Sequence, residues 1–377
     1  MSSRKFLAPV VVLSLAAGYA LVRAQQGPIK ESSETVAKPR GKKSDAEAAK
    51  DEKLPSKFPT KKQDLPKDMP TFRSDATTVS VDVAVLDTKG HFIPGIPRGN
   101  FRVLEDNVPQ QVSSYVTTEA PMTVCMVIEF SNLFQRYWSE TWYQTLTASY
   151  GFLETLKPED YVAIVAYDMR PEILSDFSTD KSKAQEAMQR LRIAAFSESN
   201  LYDALVDTAE RMQDIEGRKA IVLISSGIDT FSRLTFDKTR KALQNAGVPI
   251  YAVGLMQALR EWYDARGGLG PIQRLDFLQA DNQMRTFSSE TGGQAFFPRF
   301  YGEFPQIFRV IHEALRNQYS LGYQPSSQAR DGKFRKIKVE LVNPATGEPL
   351  RITDEKGKPM KYKVIAKAGY TAPREVE

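Results

Sequence analysis

Residues 220–230 read Ala-Ile-Val-Leu-Ile-Ser-Ser-Gly-Ile-Asp-Thr. A short, branched apolar run that stops abruptly in a small polar loop suits a strand buried on both faces better than a helix. Runs of the same kind occupy residues 122–130, 161–167 and 248–255. Between and after them lie helical patterns over residues 141–156, 201–214, 236–246 and 304–316. Strands alternating with helices predict a mostly parallel sheet with helices on both faces. Residues 171–177 are expected to add an antiparallel edge strand.

Outside this block the pattern changes to strict alternation. Val79, Val81, Val83 and Val85 fall on one face with Asp82 opposite, and Asp87-Thr88-Lys89-Gly90 makes a turn. Phe101-Arg102-Val103-Leu104-Glu105 followed by Asp106-Asn107 gives a further strand and turn, and residues 336–342 and 361–366 alternate in the same way. This is an antiparallel reading. A β segment, an α/β unit and a second β segment predict one domain inserted into another, with 71–119 and 319–372 pairing as a β-sandwich-like domain around an α/β domain at 120–318.

The first 70 residues have a different character. Arg4-Lys5, an apolar stretch over residues 6–22 and Val22-Arg23-Ala24 have the order of a secretory signal covering residues 1–24. An uncleaved anchor through residues 6–22 is the rival, and with it a membrane association. No cysteine follows the apolar run, which excludes a lipoprotein anchor of the usual kind. Residues 25–70 are rich in Lys, Pro, Ser and Glu and lack any period, as expected of a disordered tether. The net charge of +5 resides in these two segments: three positive charges in the first, then eleven basic against eight acidic residues. Residues 71–377 therefore carry a net charge of −1, and the basic pI gives no argument for nucleic-acid binding. The single cysteine, Cys125, lies inside an apolar run and reads as a buried, inert thiol.

Several loops resemble those of the von Willebrand factor A (VWA) domain. Val127-Ile128-Glu129-Phe130-Ser131 stands where such domains place a first metal-binding loop, Ser199-Asn200-Leu201-Tyr202-Asp203-Ala204-Leu205 resembles the second, and residues 221–230 the third. The flanking Phe101-Arg102-Val103-Leu104-Glu105-Asp106-Asn107, Glu290-Thr291-Gly292-Gly293 and Gln318-Tyr319-Ser320-Leu321-Gly322-Tyr323 are similar to the exported VWFA-related family of the acidobacterial type. The resemblance covers residues 75–371. It implies a Rossmann-like domain, an exported (periplasmic or extracellular) location and a protein-binding role.

The metal-ion-dependent adhesion site that the resemblance implies is altered. Its five positions read Glu129, Ser131, Leu133, Ser199 and Ser226. Leu133 supplies no oxygen, Glu129 is a methylene longer than Asp, and Ser226 removes a negative charge that only Asp229 could replace. Magnesium requires near-octahedral oxygen ligands at about 2.0–2.1 Å. The expectation is a degenerate site and no resident cofactor, with Glu129, Ser131, Ser199 and Asp229 as candidate ligands for a weakly held Mg or Ca.

Catalytic patterns are scarce. The two histidines, His91 and His312, have no metal-ligand spacing. Gly267-Gly268-Leu269-Gly270 lacks the strand-then-helix setting of a phosphate loop and reads as a flexible insertion. Asp160 and Asp168, at the ends of one strand, read as solvated caps. Aromatic residues are dense after the first loop. There Trp142, Leu146 and Leu153 share a helical stripe, whereas Phe134, Tyr137 and Trp138 precede the helix and are the candidate partner-binding residues. The sequence thus predicts an exported, non-enzymatic protein-binding module acting on a protein partner in the envelope or outside the cell. A structural envelope subunit and an exported hydrolase with an unrecognised site are the alternatives.

Overall fold

The computed structural model describes residues 78–131, 139–191, 198–215, 217–266, 270–353 and 356–373. The proposed signal and tether, together with Leu133, Phe134, Tyr137, Trp138 and residues 267–269, lie outside the described residues. So does the side chain of Trp142.

The strand Met122–Glu129 is buried along its whole length. It lies at the centre of a six-stranded sheet, parallel to Tyr161–Tyr167 on one side and to Arg218–Ser225 on the other. Ile250–Gly254 and Ala295–Phe296 extend the parallel part, and Pro171–Ser178 closes the far edge antiparallel. Side chains alternate between two cores because strand residues point to opposite faces. Met122, Val124, Met126 and Ile128 enter one core with Phe152, Phe308 and Ile311 from the helices Ser139–Leu153 and Phe304–Arg316. Cys125 and Val127 enter the other, against Leu201, Leu205 and Ala209 of Leu201–Met212 and Leu243 of Phe236–Ala246. Burial pushes the Cys125 thiol up to about 12, so it is an inert core residue.

Helices that the periodicity reading does not place are added at Lys181–Gln189, Gln257–Ala265 and Pro271–Thr291. The last buries Phe277, Ala280, Met284 and Phe287 while Leu275 and Leu278 are exposed, so its apolar stripe is diluted by outward leucines.

The two β segments pair strand by strand. Val79–Asp87 is flanked by Asn317–Tyr323 and Tyr362–Ala366, both antiparallel and both from the C-terminal side of the chain. Val112–Glu119 completes this sheet. The second sheet has the order Gly369–Thr371, Phe334–Leu341, Phe101–Glu105, Val108–Gln110. One core lies between them, with Val81, Val83, Val85, Val103, Tyr319, Leu321 and Tyr323 buried in it.

The flanking motifs acquire a physical meaning here. Asp106 and Asn107 have φ of 47° and 68°, the left-handed pair a tight hairpin needs, and they join two strands of the second sheet. Buried Glu105 accepts from Tyr323 Oη at 2.7 Å and Tyr370 Oη at 3.1 Å, tying both sheets together. Tyr319 Oη donates to Ile93 O at 2.6 Å and accepts from Ile96 N at 3.1 Å.

Candidate functional site

The carboxyl ends of the parallel strands gather the three loops. Glu129 ends its strand fully buried. Its Oε1 accepts from Ser131 Oγ at 2.7 Å. Its Oε2 accepts from Ser226 N at 2.6 Å, Ser226 Oγ at 2.7 Å and Ser225 Oγ at 2.9 Å. Tyr167 Oη donates to Ser225 Oγ at 2.8 Å, and Gly227 N donates to the same oxygen at 2.7 Å. One carboxylate is therefore saturated by hydroxyl and amide donors from neighbouring strand ends. Burial pushes its pKa above the usual 4.5, against the opposing pull of the serine donors. Burial and the nearby Glu129 carboxylate also push the Tyr167 phenol well up.

Of the four candidate ligands, Glu129 and Ser131 are in direct contact. Ser199 is buried against Tyr167, and its Oγ makes no hydrogen bond of ordinary geometry. Its backbone instead joins loop to loop: Ser199 N donates to Thr230 Oγ1 at 2.8 Å, and Ser199 O accepts from Thr230 N and Phe231 N at 2.9 and 3.0 Å. Asp229 turns to the start of the helix Leu201–Met212, where its Oδ1 accepts from Tyr202 N at 3.2 Å and Ser232 Oγ at 2.5 Å. It works as a helix cap supplied from another loop. Asp203 returns the contact, accepting from Arg233 N and Leu234 N at 3.1 Å. The second and third loops thus form one hydrogen-bonded plate.

Beside this plate lies a cavity of about 460 Å³, lined among others by Phe130, Tyr167, Asp168, Arg170 and Arg190. That volume falls within the range of about 300–1,000 Å³ usual for ligand pockets. Among the described residues its lining contains no Ser, Cys or His. His91 pairs with Asp87 in an exposed turn, and His312 lies on the helix Phe304–Arg316, where burial and the neighbouring Arg316 charge push its pKa down.

Two readings need correction or extension. Asp160 is no solvated cap: it is fully buried, with Oδ1 accepting from Met122 N at 3.0 Å, and Oδ2 from Lys157 N at 2.7 Å and from the Arg316 guanidinium. The helix Phe304–Arg316 brings the arginine back to the amino ends of the strands, a pairing across 156 residues that local pattern does not encode. The sequence reading also passed over Phe231, which is 53% exposed on the third loop. Its signal was a lone aromatic within Asp229-Thr230-Phe231-Ser232-Arg233.

Comparison with known families matches residues 139–228 to the von Willebrand factor type A domain. The chain carries such a domain, and the antiparallel sheets form a second, β domain beside it. No curated protein matches. Among solved structures, proximal thread matrix protein 1 from the mussel byssus is similar at 9% identity and a TM-score of 0.40, over 53% of this chain and 49% of that one. This chain thus spans about half the length of that protein. The vWF domain of the type V pili tip protein Mfa5 from Porphyromonas gingivalis is similar at 13% identity, TM-score 0.40, over 52% and 97%. A von Willebrand factor type A protein from Catenulispora acidiphila is similar at 12% identity, TM-score 0.39, over 80% and 76%.

Proposed function

We propose that this chain is an exported, non-enzymatic protein-binding module of the acidobacterial VWFA-related type, which engages an envelope or extracellular protein through the strand-end surface of its VWA domain. The observation that carries this reading is Phe231. An exposed aromatic ring stands on a loop whose backbone is pinned by the Phe231 N–H bond to Ser199 O and by the Asp203 bonds to Arg233 and Leu234. A rigid, exposed aromatic is the kind of anchor that dominates binding energies, because little entropy is lost when a partner covers it.

The adhesion site under this surface is degenerate. Its donor set does not fit a resident divalent cation: the Glu129 lone pairs face hydroxyl and amide donors, and Asp229 is committed to a helix start. Among the described residues no three His, Cys, Asp or Glu side chains converge as metal ligands. The serines serve the carboxylate, and the carboxylate holds the loops. Export rests on the signal-like residues 1–24; among the described residues no helix is long and apolar enough to cross a membrane.

The test is capture of crosslinked envelope partners by the wild-type chain and by Phe231→Ser. The expected result is unchanged melting and partner binding weaker by about 2 kcal/mol or more. Equal capture of the same partner by both proteins would overturn the assignment of this surface.

A further inference from the structure

Where the helix Pro271–Thr291 meets the strand Tyr362–Ala366, the molecule holds an open cleft of about 260 Å³. Arg285 and Ser289 line it from the helix, Gln294 from the segment that follows, and Lys363 from the strand; among the described residues no acidic one lines it. We propose that this cleft binds a small, doubly charged oxyanion of the phosphate class.

The acids nearest these cations make their ion pairs elsewhere. Asp281, one turn before Arg285, feels the Arg285 charge but takes its ion pair from Arg260 Nη1 at 2.8 Å. Glu290 takes Arg240 Nε at 2.9 Å and Gln244 Nε2 at 2.8 Å. Arg285 lies over the Phe297 ring, 4.1 Å from its centroid, and among the described residues neither it nor Lys363 makes a salt bridge. The carbonyls of a helix C-terminus attract cations, but here three of them accept from the protein itself. Ser288 O accepts from Gly293 N at 2.8 Å, Phe287 O from Thr291 Oγ1 at 2.7 Å, and Glu290 O from Ala368 N at 3.4 Å. Lys363 is exposed as a residue, yet the protein packed around its ammonium pushes its pKa below the usual lysine range. A desolvated cation without a counterion gains from an incoming anion.

The motif Glu290-Thr291-Gly292-Gly293 builds the junction. A Cβ on Gly293, which lines the cleft, would stand 2.1 Å from Ile250 O. Gly292 has φ of 89°, and a Cβ there would stand 2.7 Å from the Lys367 backbone. Bare backbone lets the C-terminal strand approach the helix end closely enough for Lys363 and Arg285 to share one cleft.

Size and charge select the ligand. The volume lies below the range of about 300–1,000 Å³ usual for whole small-molecule ligands, so a single phosphate-sized group with a few waters fits better than a nucleotide. Phosphate monoesters carry about −1.5 to −2 charges at pH 7, matching one guanidinium and one ammonium. The guanidinium offers a two-pronged contact, the ammonium a point charge, and the Gln294 amide and Ser289 hydroxyl add neutral donors. Such a group has two sources, a free anion and a lipid headgroup.

The full chain is titrated calorimetrically with inorganic phosphate at constant ionic strength and, separately, mixed with phosphatidylcholine vesicles with and without phosphatidic acid. Saturable phosphate binding is expected, weakened about tenfold or more in Arg285→Gln and in Lys363→Gln at unchanged melting temperature. Lys338→Gln, which removes an exposed cation from another strand, should bind as the wild type does. Binding of free phosphate alone supports a soluble ligand; vesicle binding that needs phosphatidic acid and is displaced by free phosphate supports the headgroup. Absence of saturable binding in both arms overturns the proposal, as does equal weakening in Lys338→Gln.

Discussion

Two fully buried carboxylates lie at opposite ends of adjacent strands in the central sheet, and they are stabilised by different means. Asp160, at the amino end, faces Arg316 and the amides of Met122 and Lys157. Glu129, at the carboxyl end, faces Ser131, Ser225 and Ser226 and, among the described residues, no cation. Arg316 ends a helix that runs directly into the strand Asn317–Tyr323, so the first acid also ties the VWA domain to the β domain. The second acid ties only loops at one end of one sheet. A buried charge pair is sensitive to loss of either partner, whereas an acid among hydroxyls can relieve its burial by holding a proton. The Asp160 end is therefore architecture. The Glu129 end holds the strand-end loops to one another through serine hydroxyls and an amide.

The largest expected effect comes from breaking the ion pair. Arg316→Met leaves Asp160 buried without its cation and should lower unfolding free energy by about 3–5 kcal/mol. Denaturant melts of the two proteins check this, and a loss below about 1 kcal/mol would mean that water or Lys181 compensates the acid.

Glu129→Ala removes the acceptor for four donors and opens a cavity, with an expected loss of about 2–4 kcal/mol. Glu129→Gln keeps the shape and separates charge from packing. Because the folded pKa of Glu129 is raised above 4.5, the folded state holds this proton more tightly than the unfolded chain. Its contribution is then most favourable below pH 4.5 and is lost as pH rises through the folded pKa. The difference in stability between wild type and Glu129→Gln should shift against the wild type over that window. A difference that is flat with pH would mean that the serine donors fully compensate the charge.

The smallest effect concerns metal. Millimolar magnesium or calcium should raise the melting temperature by under about 1 °C, because the Glu129 oxygens already accept from serine and amide donors, which a cation would have to displace. A chelator-reversible shift of several degrees would show that Glu129, Ser131 and Ser199 rearrange around a cation and that the contrast between the two ends fails.

Much of the architecture was legible because strand and helix periodicities are local. The run over residues 220–225 and its three counterparts predicted buried parallel strands, and the alternation at Val79, Val81, Val83 and Val85 predicted the one-sided face of a sandwich. The same locality explains the misreading of Asp160, since nothing near it in sequence announces Arg316. Gly292 and Gly293 could be seen as a motif, but their purpose appears only once the backbones of Ile250 and Lys367 lie against them.

The sequence by itself determined which segments become strands and which faces turn inward. Tertiary structure decided what the remaining polar groups do. Whether a serine ligates, caps or donates depends on which strand ends lie side by side, and the order of strands in the sheet sets that. Glu129 meets Ser225 and Ser226 because the strand Arg218–Ser225 is its parallel neighbour. Asp229 meets a helix start because the second and third loops share one end of that sheet. Burial then fixes the outcome, since a polar group withdrawn from water must take the partners the fold places beside it.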